Sequence, residues 1–363
     1  MVNNHHVILH QISILFWNAN GLLQQINELK AFITENKLDI ILVSEAHLTP
    51  HSNIRIPGYS IYHCDHPDGT AHAGSAIIIK SSISYAILPH FQSTCFQATN
   101  ISISLNHIPT TISSVYCPPG NANKITDDDF TLYFQFLGNT FLAGGDFNSK
   151  HQIWGSRVTN TRGRSLNSSL LTNNLKHFSP PGPTYWPSHL NRVPDILDFF
   201  VHTLPYHINY NLTNLSDLSS DHTPLLLTLN IQHVSLKTFP TLTPGKTNWN
   251  KFSHIVEKNI SLNIPLKYPS DIDSAILALT NVIKNATLDS SPPSITPYNN
   301  KSLPEYLSQL LAVKRRARNR WQRTHLPSDK RHYNNITCSL KKISFANITV
   351  RIINTINSLT KTN

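Results

Sequence analysis

Near the start of the chain, apolar residues fall into two different spacings. Ile12, Ile14 and Phe16 recur at alternate positions and predict a strand. Ile26, Leu29, Phe32 and Ile33 follow three-and-four spacing and predict a helix over residues 22–37. The unbroken run DIILV at 39–43 predicts a buried strand that ends in Ser-Glu-Ala-His. Further short strands are predicted at 76–79, 85–88, 101–105, 112–115, 141–143, 196–201 and 225–229, separated by Gly, Pro, Ser and Asn. Helices are predicted over 130–137 and 164–174. Many strands with a few interleaved helices imply an α+β fold, a four-layer α/β-sandwich of two packed β-sheets flanked by helices.

Beyond this body the pattern changes. Residues 1–232 are expected to form the main domain, and residues 233–300, which open with a Thr- and Pro-rich stretch, a linker or connector. Residues 301–363 read as a basic helical extension, opened by the capping-box spacing of Ser302-Leu303-Pro304-Glu305. The extension lacks a sizeable apolar store, so its helices are expected to pack on something else.

Charge sharpens this division. The 363 residues carry a formal net charge of +10, yet residues 301–363 hold 13 Lys and Arg against 2 acids. The body is therefore nearly neutral and the extension strongly basic. Such a segment suits a polyanionic partner, because each neutralised phosphate releases counterions; a solvated helix face is the alternative reading. The 4 cysteines, Cys64, Cys95, Cys117 and Cys338, are too scattered for a zinc site or a disulfide framework. The opening MVNNHHVILHQISILFW has no charged region before an apolar core, so a secretory leader is not expected. No run approaches the roughly 20 apolar residues of a membrane span.

The chemistry lies at the carboxyl ends of predicted strands. Asn18 and Asn20 follow the first strand, Glu45 the second, Asp146 and Asn148 the run FLAGG, and Asp221-His222 precede the last strand. Strand ends on one rim of a sheet can converge in space. A hard cation such as magnesium takes one or two carboxylates plus waters and phosphate oxygens. Phosphodiester hydrolysis also needs a positioned water, a proton acceptor and positive charge near the phosphorus. Glu45, Asp146, Asp221 and His222 can supply these roles, with Asn18 and Asn148 as orienting amides. Each element has a plainer reading: Glu45 as a surface residue, Asp146-Phe147-Asn148 as a turn after two glycines, Asp221-His222 as a loop cap.

The order of the segments WNANG, SEAH, YCPP, GDFN, LDFF and SDHTP resembles the motif series of the endonuclease/exonuclease/phosphatase superfamily. GDFNSKHQIWGS, then TNTRGRSL, PTYWP and LSSDHTPLLLTL, narrow the resemblance to the apurinic-endonuclease-like domains of jockey-type non-LTR retrotransposons, over residues 12–229. This resemblance implies a magnesium-dependent DNA endonuclease, with manganese as the alternative metal. Such an enzyme nicks DNA to leave a 3′-hydroxyl for target-primed reverse transcription. It further implies Glu45 as the principal metal ligand, Asp221 as a second metal-proximal acid, and Asn20 standing where some relatives carry an acid. Asn18 would orient the acids, Tyr116 contact the scissile phosphate, and Asp146 with Asn148 align the attacking water. His222 would face the phosphate, partnered by Asp198 or Asp195; Asp198 is preferred because LDFF fits the family strand and a buried acid needs a partner. Trp186 and Arg192 would lie near DNA-contacting loops. Lys314, Arg315 and Arg316 in the basic extension are further DNA-binding candidates, and element RNA is a further partner.

The resemblance implies action in the nucleus. Because no polymerase palm follows, the sequence reads as the amino-terminal fragment of a longer element polyprotein, or a gene left from one. Two alternatives stand beside the nuclease: a catalytically silent nucleic-acid-binding relic, and a lipid phosphatase of the same superfold.

Overall fold

The computed structural model describes residues 11–93, 95–120, 125–189, 191–233, 247–261, 266–291 and 305–342. They separate into two compact units, one comprising residues 1–236 with 302–363 and the other residues 237–301.

In the first unit a six-stranded sheet runs Tyr210–Asn214, Leu225–Asn230, Gln11–Asn18, Ile40–Ser44, Ser75–Lys80, Tyr59–Cys64, each strand hydrogen-bonded to the next. A seven-stranded sheet runs Lys176–Phe178, Asp198–His202, Phe141–Asp146, Ile108–Tyr116, Gln97–Leu105, Tyr85–Ile87, with Phe91–Gln92 also paired to Gln97–Leu105. The sheets face each other. Ile12, Ile14, Phe16, Ile40 and Leu42 of the first pack with Ile101, Ile112, Leu142 and Phe200 of the second in one buried cluster. On the outer side of the first sheet, Leu15, Trp17, Ile41 and Val43 pack against Leu22, Leu29, Phe32 and Ile33 of helix Leu22–Asn36. On the outer side of the second, Val115, Ala143 and Phe199 pack against helices Asp127–Phe136 and Thr161–Thr172. This is the four-layer α/β-sandwich expected.

Because strand Gln11–Asn18 is covered on both faces over its central part, Ile14, Leu15, Phe16 and Trp17 are apolar in succession and all buried. Burying each such side chain contributes about 1.5–3 kcal/mol. The sheets are also joined by hydroxyls where strand flanks approach. Ser44 Oγ donates to the Val115 carbonyl at 2.8 Å, and Ser114 Oγ to the Val43 carbonyl at 2.9 Å.

The structure differs from the sequence reading in three places. The strand predicted at 141–143 runs on through both glycines to Asp146, so Asp146 is a strand residue and not part of a turn. A Cβ on Gly144 would sit 2.8 Å from Leu42 Cδ1 and from Phe200 Cε1, and one on Gly145 would sit 2.2 Å from Val115 Cγ1. The pair is there for close approach between layers. Strands Tyr59–Cys64 and Tyr210–Asn214 were not predicted, because they are half-exposed edge strands rich in polar residues. The segment 233–300, expected as a linker, holds helices Trp249–Asn259 and Pro269–Ser290. They form the second unit and are tied together by Lys251 Nζ on the Asp289 carbonyl at 2.7 Å and Asn248 N–H on the Ser290 carbonyl at 2.9 Å.

The basic extension folds with the body. Helix Glu305–Thr324 is followed by helical residues 327–342, while the capping residues 302–304 and residues beyond 342 lie outside the described set. Among the described residues, no helix is long and apolar enough to cross a membrane.

Candidate active site

Strand register brings the chemistry to one rim. In the seven-stranded sheet Tyr116, Asp146 and Asp198 sit side by side on three adjacent strands, Tyr116 paired with Asp146 and Asp146 with Asp198. In the six-stranded sheet Asn18 pairs with Ser44 at the corresponding ends, and Glu45 follows at once. His222 arrives on the loop before Leu225, which pairs with Phe16 two residues before Asn18.

Asn18 joins the two sheets. Its buried amide donates to Glu45 Oε1 at 3.0 Å and to Asp146 Oδ2 at 2.9 Å. Its carbonyl accepts from Ser220 Oγ at 2.7 Å, and that hydroxyl in turn accepts the His222 N–H at 2.9 Å. His222 Nδ1 lies 2.7 Å from Asp198 Oδ2, and its Nε2 lies 3.9 Å from Asp146 Oδ2. Asp198 is thus the partner of His222. Asp195 is occupied elsewhere, by Lys150 Nζ at 3.0 Å and the N–H of Arg157 at 3.0 Å.

The charges settle in a definite pattern. Burial pushes the Asp146 carboxyl up, the neighbouring Asp198 charge adds to this, and the result is about 8. Burial alone would lower His222, but the Asp198 carboxylate and its hydrogen bond outweigh that and raise the imidazole to about 10. His222 is therefore a cation at neutral pH. Burial also works to raise Glu45. Hydrogen bonds from His47 and Asn18, with the His222 charge, prevail and hold it below its ordinary value. Tyr116, buried and beside Glu45 and Asp146, has its phenol pushed far up and keeps its proton.

The backbone around the site is unusual. Asn20, Glu45, His47 and Asn148 all have positive φ, at 44°, 47°, 51° and 48°. Non-glycine residues enter this region at a cost, and such strain clusters where side chains must be aimed. Asn148 is held there by its N–H on Asp146 Oδ1 at 3.0 Å and its amide on the Cys117 carbonyl at 3.1 Å.

A cation site fits this donor set. Glu45 is ionised, and its side chain is 21% exposed beside the pocket. Oxygen ligation of that kind suits a hard divalent ion. Asp146, Asp198 and His222 also present ligand atoms within 4.8 Å of one another, and Asp198 Oδ1 is buried with no donor among the described residues. In that trio His222 Nδ1 is already engaged by Asp198 Oδ2 at 2.7 Å, an arrangement that can also hold a proton.

The other expected residues are placed less centrally. Asn20 is exposed, and its N–H donates to Asn18 Oδ1 at 3.1 Å. The Asp221 carboxylate is partly exposed and acts electrostatically on His222 and Tyr185. Its carbonyl accepts the Trp186 N–H at 2.8 Å, which places Trp186 next to the loop that carries His222, and Arg192 lies exposed in the same segment.

The extension residues are split. Arg316 is exposed. Lys314 is buried, pairs with Glu28 and donates to the Asp217 carbonyl, and Arg315 pairs with Asp217 and Glu35. The charges of Lys314 and Arg315 are spent within the protein, which corrects the expectation that they face DNA. A charge run in sequence cannot distinguish a docking face from a free one.

Several contributors escaped the sequence reading. Thr184 Oγ1 accepts from the N–H groups of Leu197 and Asp198, at 3.0 and 3.1 Å, and fixes the start of the Asp198 strand. His47 flanks Glu45 at 3.6 Å. Arg318 is fully buried, and its guanidinium donates to the carbonyls of Leu218, Ser220 and His222. Ser220, the second serine of SSDH, was the one with a usable signal, since a hydroxyl two residues before a loop His commonly caps its N–H.

Comparisons with known proteins bear on the fold and the kin of the chain. Residues 110–226 match the family described as Endonuclease-reverse transcriptase. The chain is 30% identical over 316 residues to the RNA-directed DNA polymerase from mobile element jockey of Drosophila funebris, covering 86% of this chain and 34% of that protein. It is 30% identical over 335 residues to the jockey protein of Drosophila melanogaster, covering 91% of this chain and 36% of the relative. The chain thus spans about a third of the length of the curated relatives it matches. Its fold is that of the endonuclease domain of TRAS1, a telomere-specific non-LTR retrotransposon, with a TM-score of 0.51 at 20% identity over 61% of this chain and 99% of that one.

Proposed function

We propose that this chain, which carries an endonuclease domain of the non-LTR retrotransposon type, hydrolyses one phosphodiester of DNA and leaves a 3′-hydroxyl. In an intact element that end would prime reverse transcription on chromosomal DNA, so we place the action in the nucleus. The observation that carries the reading is Asn18, whose single amide nitrogen lies 3.0 Å from Glu45 and 2.9 Å from Asp146. That contact gathers acids from both sheets and the His222–Asp198 pair into one pocket.

A divalent cation, magnesium or alternatively manganese, would be held by Glu45 with Asp221 as a second nearby acid, and would supply Lewis-acid charge to the phosphate oxygens. The protein groups do the rest. Asp146, raised to about 8, titrates near working pH and is suited to accept a proton from the attacking water. Asn148, held rigidly beside it, orients that water. His222, kept cationic by Asp198, faces the phosphate oxygens where negative charge develops. Tyr116 stays protonated and hydrogen-bonds Glu45, fixing that carboxylate's direction while its ring edges the phosphate position.

Supercoiled plasmid incubated with purified chain and magnesium should be converted to the nicked circle, and Asp146→Ala and His222→Ala should each reduce the rate at least 100-fold. Wild-type conversion no faster than that of either variant would overturn the reading. Binding to DNA without cleavage would favour the silent relic, and turnover of a lipid phosphate without nicking the phosphatase.

A further inference from the structure

Beside the catalytic loop lies a cleft with walls from two distant parts of the chain. One wall is the segment carrying Trp186, His189 and Arg192; the other comes from the extension, with Trp321, His325 and Lys330. The cleft is shallow and open to solvent, a surface groove and not an enclosed cavity. Its lining contains aromatic rings, prolines and cations, and no carboxylate among the described residues.

The floor is aromatic. Trp186 and Trp321 have ring centroids 6.1 Å apart, His325 stacks on Trp186 at 5.5 Å, and Tyr333 stacks beneath Trp321 at 5.8 Å. Lys330 Nζ lies 4.9 Å from the Trp321 ring. Arg192 opens the other side and hydrogen-bonds Tyr185, whose ring is 5.0 Å from that of His222. The walls are rigidly placed. The Trp186 N–H is held by the Asp221 carbonyl, and its Nε1 donates to Thr223 Oγ1 at 2.9 Å. Helix Glu305–Thr324 is docked by buried Lys314 and Arg318.

We propose that this cleft is a nucleic-acid subsite in which the extension supplies half of the grip on the DNA strand next to the scissile phosphate. Arg192 and Lys330 would contact backbone phosphates, and the Trp186–His325 face would receive a base or sugar edge. Charge complementarity selects this occupant: cations around aromatic faces, with no acid in the lining, match a polyanion with flat bases. The subsite rests on the nuclease reading for its substrate. It adds that the basic extension is part of the substrate-binding surface, through Lys330 and His325 rather than through Lys314 and Arg315.

The test is made on the full-length Asp146→Asn chain in EDTA, so that binding is read without cleavage. Fluorescence anisotropy with a labelled DNA duplex would be recorded across a salt series. Lys330→Gln retains the stem over Trp321, and Lys330→Gln and Arg192→Gln should each weaken binding about 5- to 10-fold and reduce the salt slope by about 1. Lys176→Gln, a charge removed at the far end of the Asp198 strand, serves as control. Equal affinities and slopes for all three variants and the parent would overturn the subsite, as would failure of the parent to bind. If the variants weaken binding but the wild-type chain never nicks plasmid, the catalytic reading fails while the subsite stands.

Discussion

Arg318 donates from Nη2 to the carbonyl of His222 at 2.9 Å across 96 residues of sequence. The same guanidinium takes the carbonyls of Leu218 and Ser220, so the loop that delivers Asp221 and His222 is fastened from behind by the extension. Arg318→Ala would leave three carbonyls in a buried site without their donor. The expected loss is about 3 kcal/mol of stability, measured by urea denaturation. Plasmid nicking should fall at least 10-fold in kcat and KM should rise as well, because Arg318 holds both the loop and the helix that carries Trp321 of the cleft. Unchanged stability and nicking would refute the fastening.

The His222–Asp198 pair should be visible in pH. The imidazole titrates at about 10 in the folded chain against an ordinary 6.5. A folded value above the unfolded one means that the pair's stabilisation is complete below about pH 6.5. It is lost as pH rises from there through 10. NMR of the His222 ring should show imidazolium at pH 8, and Asp198→Asn should bring its titration below 7. A wild-type midpoint near 6.5 would contradict the ion pair.

Asp146 is the counter-case. Its carboxyl is raised from 3.8 to about 8, so the folded state resists its ionisation, and the stability it confers below pH 3.8 is lost as pH climbs through 8. Asp146→Asn removes that loss and retains one oxygen as acceptor for Asn18, giving up the bond from the Asn148 N–H. The variant should unfold at a higher temperature than wild type, with a gap that widens from pH 4 to pH 8, while nicking is abolished. Calorimetry across that range checks it; a lower Tm for the variant at pH 8 would count against buried ionisation.

Gly145→Ala addresses the packing behind the rim. The new methyl would meet Val115 Cγ1 at 2.2 Å and the Val115 carbonyl oxygen at 2.8 Å, and the backbone atom cannot step aside. A destabilisation of about 3 kcal/mol is expected, at the upper end for overpacking, read as a shift in the urea midpoint. Gly138→Ala should act differently: open space surrounds it, and its φ of 84° supplies the only penalty. Equal effects at the two positions would defeat the close-approach argument.

The sequence made the buried strands and the catalytic rim legible for one reason. Both are local: an apolar run states a buried strand, and an acid or amide just after it states a strand end. Asn18, Glu45 and Asp146 stand after such runs, His222 was picked out by the SDHTP segment before the last strand, and Asp198 was preferred over Asp195 because a buried acid in LDFF needed a partner. What stayed hidden depends on distant contacts. Tyr59–Cys64 and Tyr210–Asn214 become strands only because covered neighbours offer them hydrogen bonds. Thr184 has no mark in sequence that ties it to Asp198. Lys314 and Arg318 look like any other members of a basic run until Glu28 and the loop carbonyls are seen to receive them.

The tie from Arg318 to residues 218–222 also has a consequence in time. A ribosome makes the loop about 100 residues before it makes the arginine, an interval of roughly 5–20 s at ordinary elongation rates. During that interval the nascent chain holds every acid of the pocket but not the clasp behind its histidine. The final fastening of the loop is thereby postponed until translation has passed well beyond residues 218–222.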